Sequence, residues 1–432
     1  MVNRTEQRSA WQLLDSGQLL LIAIAGLVVI VAVTQVAAVG LDRPVTAVIF
    51  GVLIALGELA RMVMPGNREV APIGTAGALG YALLLRVGEQ PADQTPLQVV
   101  AVTAAGMLIG SLPHIAVGRA PAPDPMARRL LCIALVAFLF RPIAGRLLPA
   151  GELSKRDWLL ALALMAAVVA LAGLAEVVVA AMIRAEAVRA RFGIALADEI
   201  GALMALWVAT GPTGMLIAVA TSVMGLTALL VFTAPILVTQ VAFRRYAGIR
   251  ATYLQTIRAL SRVTEVGGYV EPGHSRRVSR LSIAMGRELG MAEAELLDLE
   301  YGALMHDIGQ LSLGDPIPGG ATVLASPNEQ RKIAELGAGV IEQTGVLPRV
   351  AEIVRRQSEQ YRVGRSPSTA PPLASRIVKV ANAYDDLVGD SGDRDRSAAV
   401  LERLRLDSAA EYDPAVVESL SRVIDRGGLA RL

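Results

Sequence analysis

The chain has 432 residues, of which 53% are hydrophobic, 19% are charged and only 4% are aromatic. Soluble proteins carry about 45–50% apolar and about 25% charged residues, so this composition indicates a membrane protein with a polar part attached. A net charge of +2 and a single cysteine exclude a disordered chain, a disulfide-stapled chain and a broad basic surface for nucleic acid polymers.

Long apolar runs separated by short charged loops occupy the chain up to about residue 242. A helix that crosses a bilayer needs about 20 apolar residues. We predict eight such spans: Leu19–Leu41, Val45–Met64, Pro72–Val87, Leu97–Val117, Leu130–Pro149, Trp158–Ile183, Ile194–Thr210 and Met215–Ala242. The third run is short and the last is long, so seven or nine spans stay open. The last two are separated by a predicted turn at Gly211-Pro212-Thr213-Gly214.

The loops on one side of this predicted bundle are rich in arginine, whereas the other side carries Arg43, Arg86, Lys155 and Arg156. The positive-inside rule places the arginine-rich side, with both termini, in the cytoplasm. We therefore expect an integral membrane protein whose first partner is the lipid bilayer. Ionisable residues in or near the spans predict either a ligand pocket inside the bundle, or snorkelling and pairs between helices near the ends of the spans. They are Glu58, Arg141, Arg146, Glu176, Asp198 and Glu199.

After Phe243 the sequence becomes charged and amphipathic. The predicted fold class is all-α, in four segments: a cytoplasmic tail 1–18, a transmembrane helical domain 19–242, a connector helix 243–265 and a cytoplasmic helical domain 266–432. The connector has apolar residues at helical spacing, continues the last span and is a candidate homodimer interface.

Helices of the last domain are predicted at His274–Leu289, from about Ala292, at Pro348–Tyr361, at Leu373–Leu387 and over Ser397–Asp425 with a break at Tyr412-Asp413-Pro414. A further helix is signalled by Ser326-Pro327-Asn328-Glu329. This segment is a capping box with proline at the first helical position.

The pair His306-Asp307 interrupts an apolar helical pattern. An imidazole and a carboxylate side by side can both reach one metal ion. His274 begins the preceding helix, and the blocks Arg376–Asp385 and Tyr412–Val417 follow. In order and spacing these blocks resemble the HD-GYP domain, a branch of the HD phosphohydrolase superfamily, over about residues 253–423.

The resemblance implies an all-helical bundle around metal ions that hydrolyses the bacterial second messenger cyclic di-GMP. It implies that His274, His306 and Asp307 are metal ligands and that the membrane is a bacterial cytoplasmic membrane. The reduced ligand set leaves two alternatives open: a domain that retains little metal, or a site for a single divalent ion, iron, manganese or zinc.

Several positions depart from the family's pattern. Of the three histidines in this chain, only His274 and His306 lie after Phe243, so the family's further histidines are absent. Their positions hold Glu335 and Gln357-Ser358-Glu359. The Gly-Tyr-Pro loop is replaced by Arg362–Pro371, Gln310 stands in place of a lysine, and Asn382 in place of an aspartate. The residues that could complete a one-ion site are Glu335, Glu359, Asn382 and Asp386.

Two functions follow from this pattern. The first is a membrane-anchored signalling protein whose degenerate HD-GYP-like domain binds a cyclic dinucleotide or a signalling protein without catalysis. The alternative is an active metal-dependent phosphohydrolase with a reduced site, so whether the chain is an enzyme stays open. Five arginines form either a phosphate site or a solvated surface: Arg276, Arg277, Arg280, Arg355 and Arg356.

Overall fold

The computed structural model describes residues 16–64, 68–149, 152–188, 192–313, 317, 320–345, 347–362, 370–389 and 393–425. Most of the predicted tail 1–18 and of the predicted loop Arg362–Pro371 lies outside these residues. The described chain is almost entirely helical, as predicted. It divides into two units, Met1–Ala247 and Gly248–Leu432, which we describe in turn.

The first unit is built from helices with two small hairpins between them. Its helices are α1 Ser16–Val39, α2 Pro44–Leu59, α3 Pro72–Leu83, α4 Pro96–Ala116, α5 Pro123–Leu147, α6 Lys155–Val188, α7 Phe192–Met224 and α8 Thr227–Val266, the last of which continues past the unit boundary. The hairpins pair β1 Met62–Met64 with β2 Arg68–Val70 and β3 Arg86–Val87 with β4 Gln90–Pro91, both antiparallel. Proline begins α2 to α5, because a first-turn residue needs no amide hydrogen.

Five stretches are long and apolar enough to cross a membrane: Gly17–Val39, Pro96–Ala116, Pro123–Leu147, Lys155–Glu186 and Leu206–Met224. The helix α2 and the segment Thr227–Ala242 are apolar but shorter. The helix α3 has 12 residues and is buried along nearly its whole length. Since a span needs about 20 residues, the count of eight spans stays a prediction.

The predicted turn at residues 211–214 was wrong. These residues lie inside α7, and the helix ends instead at Met224, before Gly225 with a positive φ of 60°. A Cβ on Gly214 would lie 2.6 Å from the Cβ of Leu79, so this glycine lets α7 and α3 approach closely. Glycine occurs both in turns and at close contacts between helices. The sequence around Gly211 and Gly214 did not show which of the two applied here.

Charged side chains of the first unit pair between helices. The Arg129 guanidinium donates two hydrogen bonds to the fully buried Glu58 carboxylate, at 2.7 and 3.0 Å. Glu199 accepts two hydrogen bonds from Arg68 of β2, at 2.8 and 3.0 Å, and pairs with Arg184 of α6 at 3.5 Å. Glu176 of α6 accepts a hydrogen bond from Trp207 of α7 at 2.9 Å. Of the two predicted alternatives, pairing between helices therefore describes these three glutamates.

The second unit is helical throughout its described residues. Its helices after α8 are α9 His274–Glu288, α10 Glu293–Met305, α11 Pro327–Glu342, α12 Pro348–Arg356, α13 Leu373–Val388, α14 Arg394–Leu406 and α15 Pro414–Asp425, with 3₁₀ turns at Ile308–Ser312 and Thr322–Leu324. The predicted capping box is confirmed, since Ser326 and Glu329 hydrogen-bond each other's backbone amides. The helix α8 runs without a break from Thr227 to Val266 and includes the residues of the predicted connector, whose role stays a prediction. Dimerisation through it stays a prediction.

The core of this unit lies between α9 and α13. Leu281 and Met285 of α9 and Ile377 and Ala381 of α13 are inaccessible to solvent and belong to one apolar cluster. Packing along these stripes brings the first turn of α9 beside the last two turns of α13. The polar side chains on those turns therefore meet at one place.

Candidate metal centre

His274 occupies the first position of α9. Gly273 before it has φ 80°, a left-handed conformation that suits glycine and turns the chain into the helix. The His274 Nδ1 donates to Asp385 Oδ2 at 2.7 Å, and Asp385 also accepts from Arg277 Nε at 2.8 Å. This carboxylate therefore fixes the ring and leaves Nε2 with its lone pair, the arrangement usual for a metal-binding histidine.

His306 and Asp307 follow the last turn of α10. The Nδ1 of His306 donates to the carbonyl of Ala303 at 2.8 Å, so its Nε2 also carries a lone pair. Gly309 holds this segment against α11, because a Cβ there would lie 2.0 Å from the carbonyl oxygen of Ile333. The close contact of Gly309 with the α11 backbone thus positions the side chains of His306 and Asp307, which precede it.

Asn382 of α13 is oriented by its amide nitrogen. Its Nδ2 donates to Thr322 Oγ1 at 2.8 Å and lies 3.4 Å from Asp386 Oδ2. The Oδ1 atom consequently faces His306 Nε2 at 3.0 Å.

These side chains bring four acceptor atoms together. His274 Nε2 and His306 Nε2 lie 3.2 Å apart, and Asp307 Oδ2 lies 3.3 and 3.1 Å from them. Ligands bound at about 2.1 Å to one ion lie about 3.0–3.4 Å from each other in octahedral or tetrahedral geometry. Acceptors that face one another repel unless a cation or a proton lies between them. We call His274, His306, Asp307 and Asn382 the four-ligand group.

The charges around the four-ligand group favour a cation. Asp307, Asp385 and Asp386 bring three carboxylates, and the adjacent Arg277 brings one guanidinium, an excess of two negative charges with neutral histidines. Asp307 is buried, and its Oδ2 has no hydrogen-bond partner among the described residues. A divalent ion would balance this excess and bind that oxygen, so the residues present fit the metal that the resemblance implies.

Without a metal, the two histidines of the group hold protons more tightly than usual, and although burial acts to raise the pKa of Asp307, both histidines lower it. Burial opposes the charged form of His274, but the neighbouring carboxylates of Asp307 and Asp385 raise its pKa to about 10. Burial likewise opposes the raised pKa of His306, which its Asp307 neighbour causes. Burial raises the pKa of Asp386 to about 6, although His274 acts against this shift.

Of the other candidate ligands, the two glutamates are paired with arginines, and Asp386 lies beside the four-ligand group, 3.8 Å from His274 Nδ1. Glu335 is exposed and lies 3.3 Å from Arg355, and Glu359 pairs with Arg356 at 2.7 Å. Asp386 accepts a hydrogen bond from the Val323 amide at 3.0 Å. At the family's histidine position, Gln357 donates to the carbonyl of His306 at 2.7 Å instead. The described residues at these positions do not assemble a second ion site.

The five arginines that could bind phosphate are dispersed. Arg277 binds Asp385 and Glu271, Arg355 binds Glu342 at 2.7 Å, and Arg356 pairs with Glu359. Arg276 and Arg280 are exposed. None of the five is among the described residues that line the cavity beside Asn382.

That cavity has a volume of about 220 Å³ and reaches Asp307 and Asn382. Two cations line it, Lys379 and Arg403. The Lys379 Nζ donates to the Glu359 carbonyl at 2.9 Å, and burial lowers its pKa. Sequence reasoning missed both cations and the orienting role of Asp385. Lys379 and Asp385 lie one helical turn from Asn382 on either side, a spacing that marks one helix face and could have suggested them.

The family whose model matches this region is the HD domain, over residues 273–387. The match includes all members of the four-ligand group. The second unit contains an HD domain. The prediction of an all-helical chain with an HD-type domain after apolar helices is therefore confirmed.

Two curated relatives carry a similar segment. The cyclic di-GMP phosphodiesterase response regulator RpfG of Xanthomonas campestris pv. campestris is 28% identical over 177 residues, which are 38% of this chain and 47% of the relative. A cyclic di-GMP phosphodiesterase of Thermotoga maritima is 25% identical over 146 residues, 31% of this chain and 39% of the relative. The chain thus spans less than half the length of these relatives.

Proposed function

We propose that this chain is a membrane-bound signalling protein whose HD domain holds one divalent metal ion and binds a cyclic dinucleotide without hydrolysing it. One observation carries the proposal: four acceptor atoms converge at 3.0–3.3 Å while the donors of the same side chains point away. The relatives' names supply the ligand class, since both are cyclic di-GMP phosphodiesterases.

One ion fits this domain better than two. The four-ligand group contributes two imidazoles, a carboxylate and an amide oxygen, and the cavity beside it leaves room for a further ligand. Such an ion would supply positive charge to a phosphate oxygen. A two-metal phosphodiester reaction stabilises both the attacking and the leaving oxygen. At the positions of the family's further histidines, Glu335 pairs with Arg355 and Gln357 binds the His306 backbone.

The phosphate of the ligand would enter the cavity next to Asn382. Arg403 lines this cavity with an exposed guanidinium, and guanidinium matches phosphate oxygens in a fork. Lys379 of α13 also lines the cavity, where it is paired with the Glu411 carboxylate. About 220 Å³ is less than pockets that enclose a drug-sized ligand, so the cavity would hold one phosphate and its sugar while the bases lie outside.

The alternative, an active phosphohydrolase with one ion, rests on a separate observation. The His306-Asp307 pair is intact and buried, and Asp307 borders an open cavity. A single bound ion can also polarise a phosphoryl oxygen. The two functions differ in whether product forms.

The membrane region would anchor this domain at the cytoplasmic face. Five stretches long enough to cross a bilayer precede it. A cytosolic nucleotide requires the carboxy-terminal unit to lie in the cytoplasm, as the arginine-rich loops predict.

Full-length protein in lipid nanodiscs tests the proposal. We expect about one metal ion per chain, lost in His306→Ala and kept in His114→Ala, which alters the histidine of the first unit. Calorimetry with cyclic di-GMP should show binding, and chromatography of the mixture should show no product.

A pair of arginine variants tests the placement of the phosphate. Arg403→Ala should weaken cyclic di-GMP binding about tenfold, whereas Arg276→Ala, an exposed arginine outside the cavity, should not. Product that appears in the wild type and disappears in His306→Ala would replace the proposal by the phosphohydrolase. Protein without bound metal or nucleotide would refute both.

A further inference from the structure

The first unit contains a larger cavity, of about 500 Å³, at the end where α3 meets α5. Its lining includes the hairpin β3–β4 and the residues that follow it, together with the last turns of α5. A volume of this size lies within the range of small-molecule pockets. The cavity lies entirely within the first unit and shares no residue with the HD domain.

Arg141 of α5 lines this cavity without a carboxylate partner. Its guanidinium donates to the carbonyl oxygens of Tyr81, Ala82 and Ala92 at 3.0, 3.0 and 2.9 Å. Tyr81 and Ala82 belong to the last turn of α3, where backbone carbonyls lack helical partners. Three of the five N–H groups are thereby used, and two are left for a ligand.

This arrangement pre-orients the guanidinium. Since three carbonyls from two segments hold the side chain, little conformational freedom remains to be lost when an anion binds. Arg141 makes no ion pair with any described residue. Three carbonyl dipoles meet its charge, and Asp93 attracts it without forming an ion pair, in contrast to Arg129, which binds Glu58.

Asp93 lines the same cavity and is exposed. No described residue donates a hydrogen bond to its carboxylate or pairs with it, although Arg141 borders the same space. The cavity thus presents two guanidinium groups, those of Arg86 and Arg141, and one carboxylate, that of Asp93. Leu85 and Leu148 add apolar surface between the polar groups.

We propose that this cavity binds a small zwitterion that carries both a carboxylate and an ammonium group, of the kind found in free amino acids and short peptides. The carboxylate binds the two remaining N–H groups of Arg141, and the ammonium binds Asp93. An apolar side chain of the ligand contacts Leu85 and Leu148.

Four compounds test this with full-length protein in nanodiscs: L-leucine, the dipeptide leucyl-leucine, 4-methylpentanoate and 3-methylbutylamine. 4-Methylpentanoate lacks the ammonium group of leucine, and 3-methylbutylamine lacks its carboxylate. Calorimetry should show leucine or the dipeptide binding at least about tenfold more tightly than either single-charge analogue. Whichever of the two binds more tightly identifies the natural size of the ligand.

Three variants assign the contacts. Asp93→Asn should remove the advantage of leucine over 4-methylpentanoate, and Glu89→Gln, on the same hairpin but outside the cavity, should keep it. Arg141→Lys retains the positive charge but loses the forked guanidinium. It should therefore weaken the binding of both leucine and 4-methylpentanoate about tenfold. Arg141→Lys also tests folding, because unchanged thermal unfolding shows that α3 keeps its terminus.

Two results would overturn the proposal. One is the absence of saturable binding by all four compounds up to about 10 mM. The other is leucine binding that Asp93→Asn leaves unchanged. Neither result bears on metal or nucleotide binding by the HD domain.

Discussion

The Glu58–Arg129 pair of the first unit and the four-ligand group of the second both hold a carboxylate away from water. Glu58 receives two hydrogen bonds from one guanidinium, so its charge is compensated within the protein, and we call this a closed pair. Asp307 instead faces the lone pairs of two imidazoles, and its Oδ2 has no partner among the described residues. A closed pair stabilises helix packing without any added ion. The four-ligand group is open in the sense that its charge is not compensated by the protein, so it requires a cation from solution.

The largest expected effect comes from opening the closed pair. Glu58→Ala leaves Arg129 buried without its carboxylate, which should lower the free energy of unfolding by about 3–5 kcal/mol. Thermal unfolding in detergent measures this, with Glu152→Ala, an exposed glutamate of the same unit, as the control. Equal unfolding temperatures for the two variants would contradict the prediction that Glu58 compensates the buried charge of Arg129.

Closing the open group should stabilise the HD domain. A divalent ion at 100 times its Kd adds about 2.7 kcal/mol to the free energy of unfolding. The gain should vanish on addition of a chelator and in His306→Ala, and it should persist in His114→Ala. If His306→Ala kept the full response, the ion would bind elsewhere.

The backbone contact that positions Asp307 gives a smaller effect. Gly309→Ala forces a Cβ against the Ile333 carbonyl of α11, and we expect a loss of about 1–3 kcal/mol together with weaker metal binding. Gly339 is the control, because it lies in α11, the helix of Ile333, and a Cβ there would meet no described atom of another element within 4 Å. Gly339→Ala should stabilise the helix by about 0.5–1 kcal/mol and leave metal binding unchanged.

The pH dependence of metal binding distinguishes an open group from a closed one. The raised pKa of His274, about 10, means that the metal-free domain holds a proton where the ion would bind. Metal requires neutral imidazole, so each bound ion displaces that proton. Apparent affinity should therefore rise about tenfold per pH unit from pH 6 to 9 for each proton displaced. Affinity that is flat across this range would contradict the assigned ligands.

Local features were predictable because their interactions lie within one helical turn. The capping box at Ser326, the helix that His274 begins and the neighbouring His306-Asp307 pair are all visible in the sequence and present in the structure. Apolar runs predicted the helices of the first unit for a similar reason, since length and hydrophobicity are properties of a single segment.

What only the tertiary structure decided depends on residues far apart in the chain. Asp385 orients His274 across 111 positions, and Gly214 lies inside a helix at a place where a Cβ would collide with Leu79. Arginine content alone did not show that Arg356 is bound to Glu359 while Arg403 borders the cavity. Sequence determined which side chains the protein possesses and which helices carry them. Packing decided which charges meet, because electrostatic interactions act between side chains that come within a few ångströms of one another.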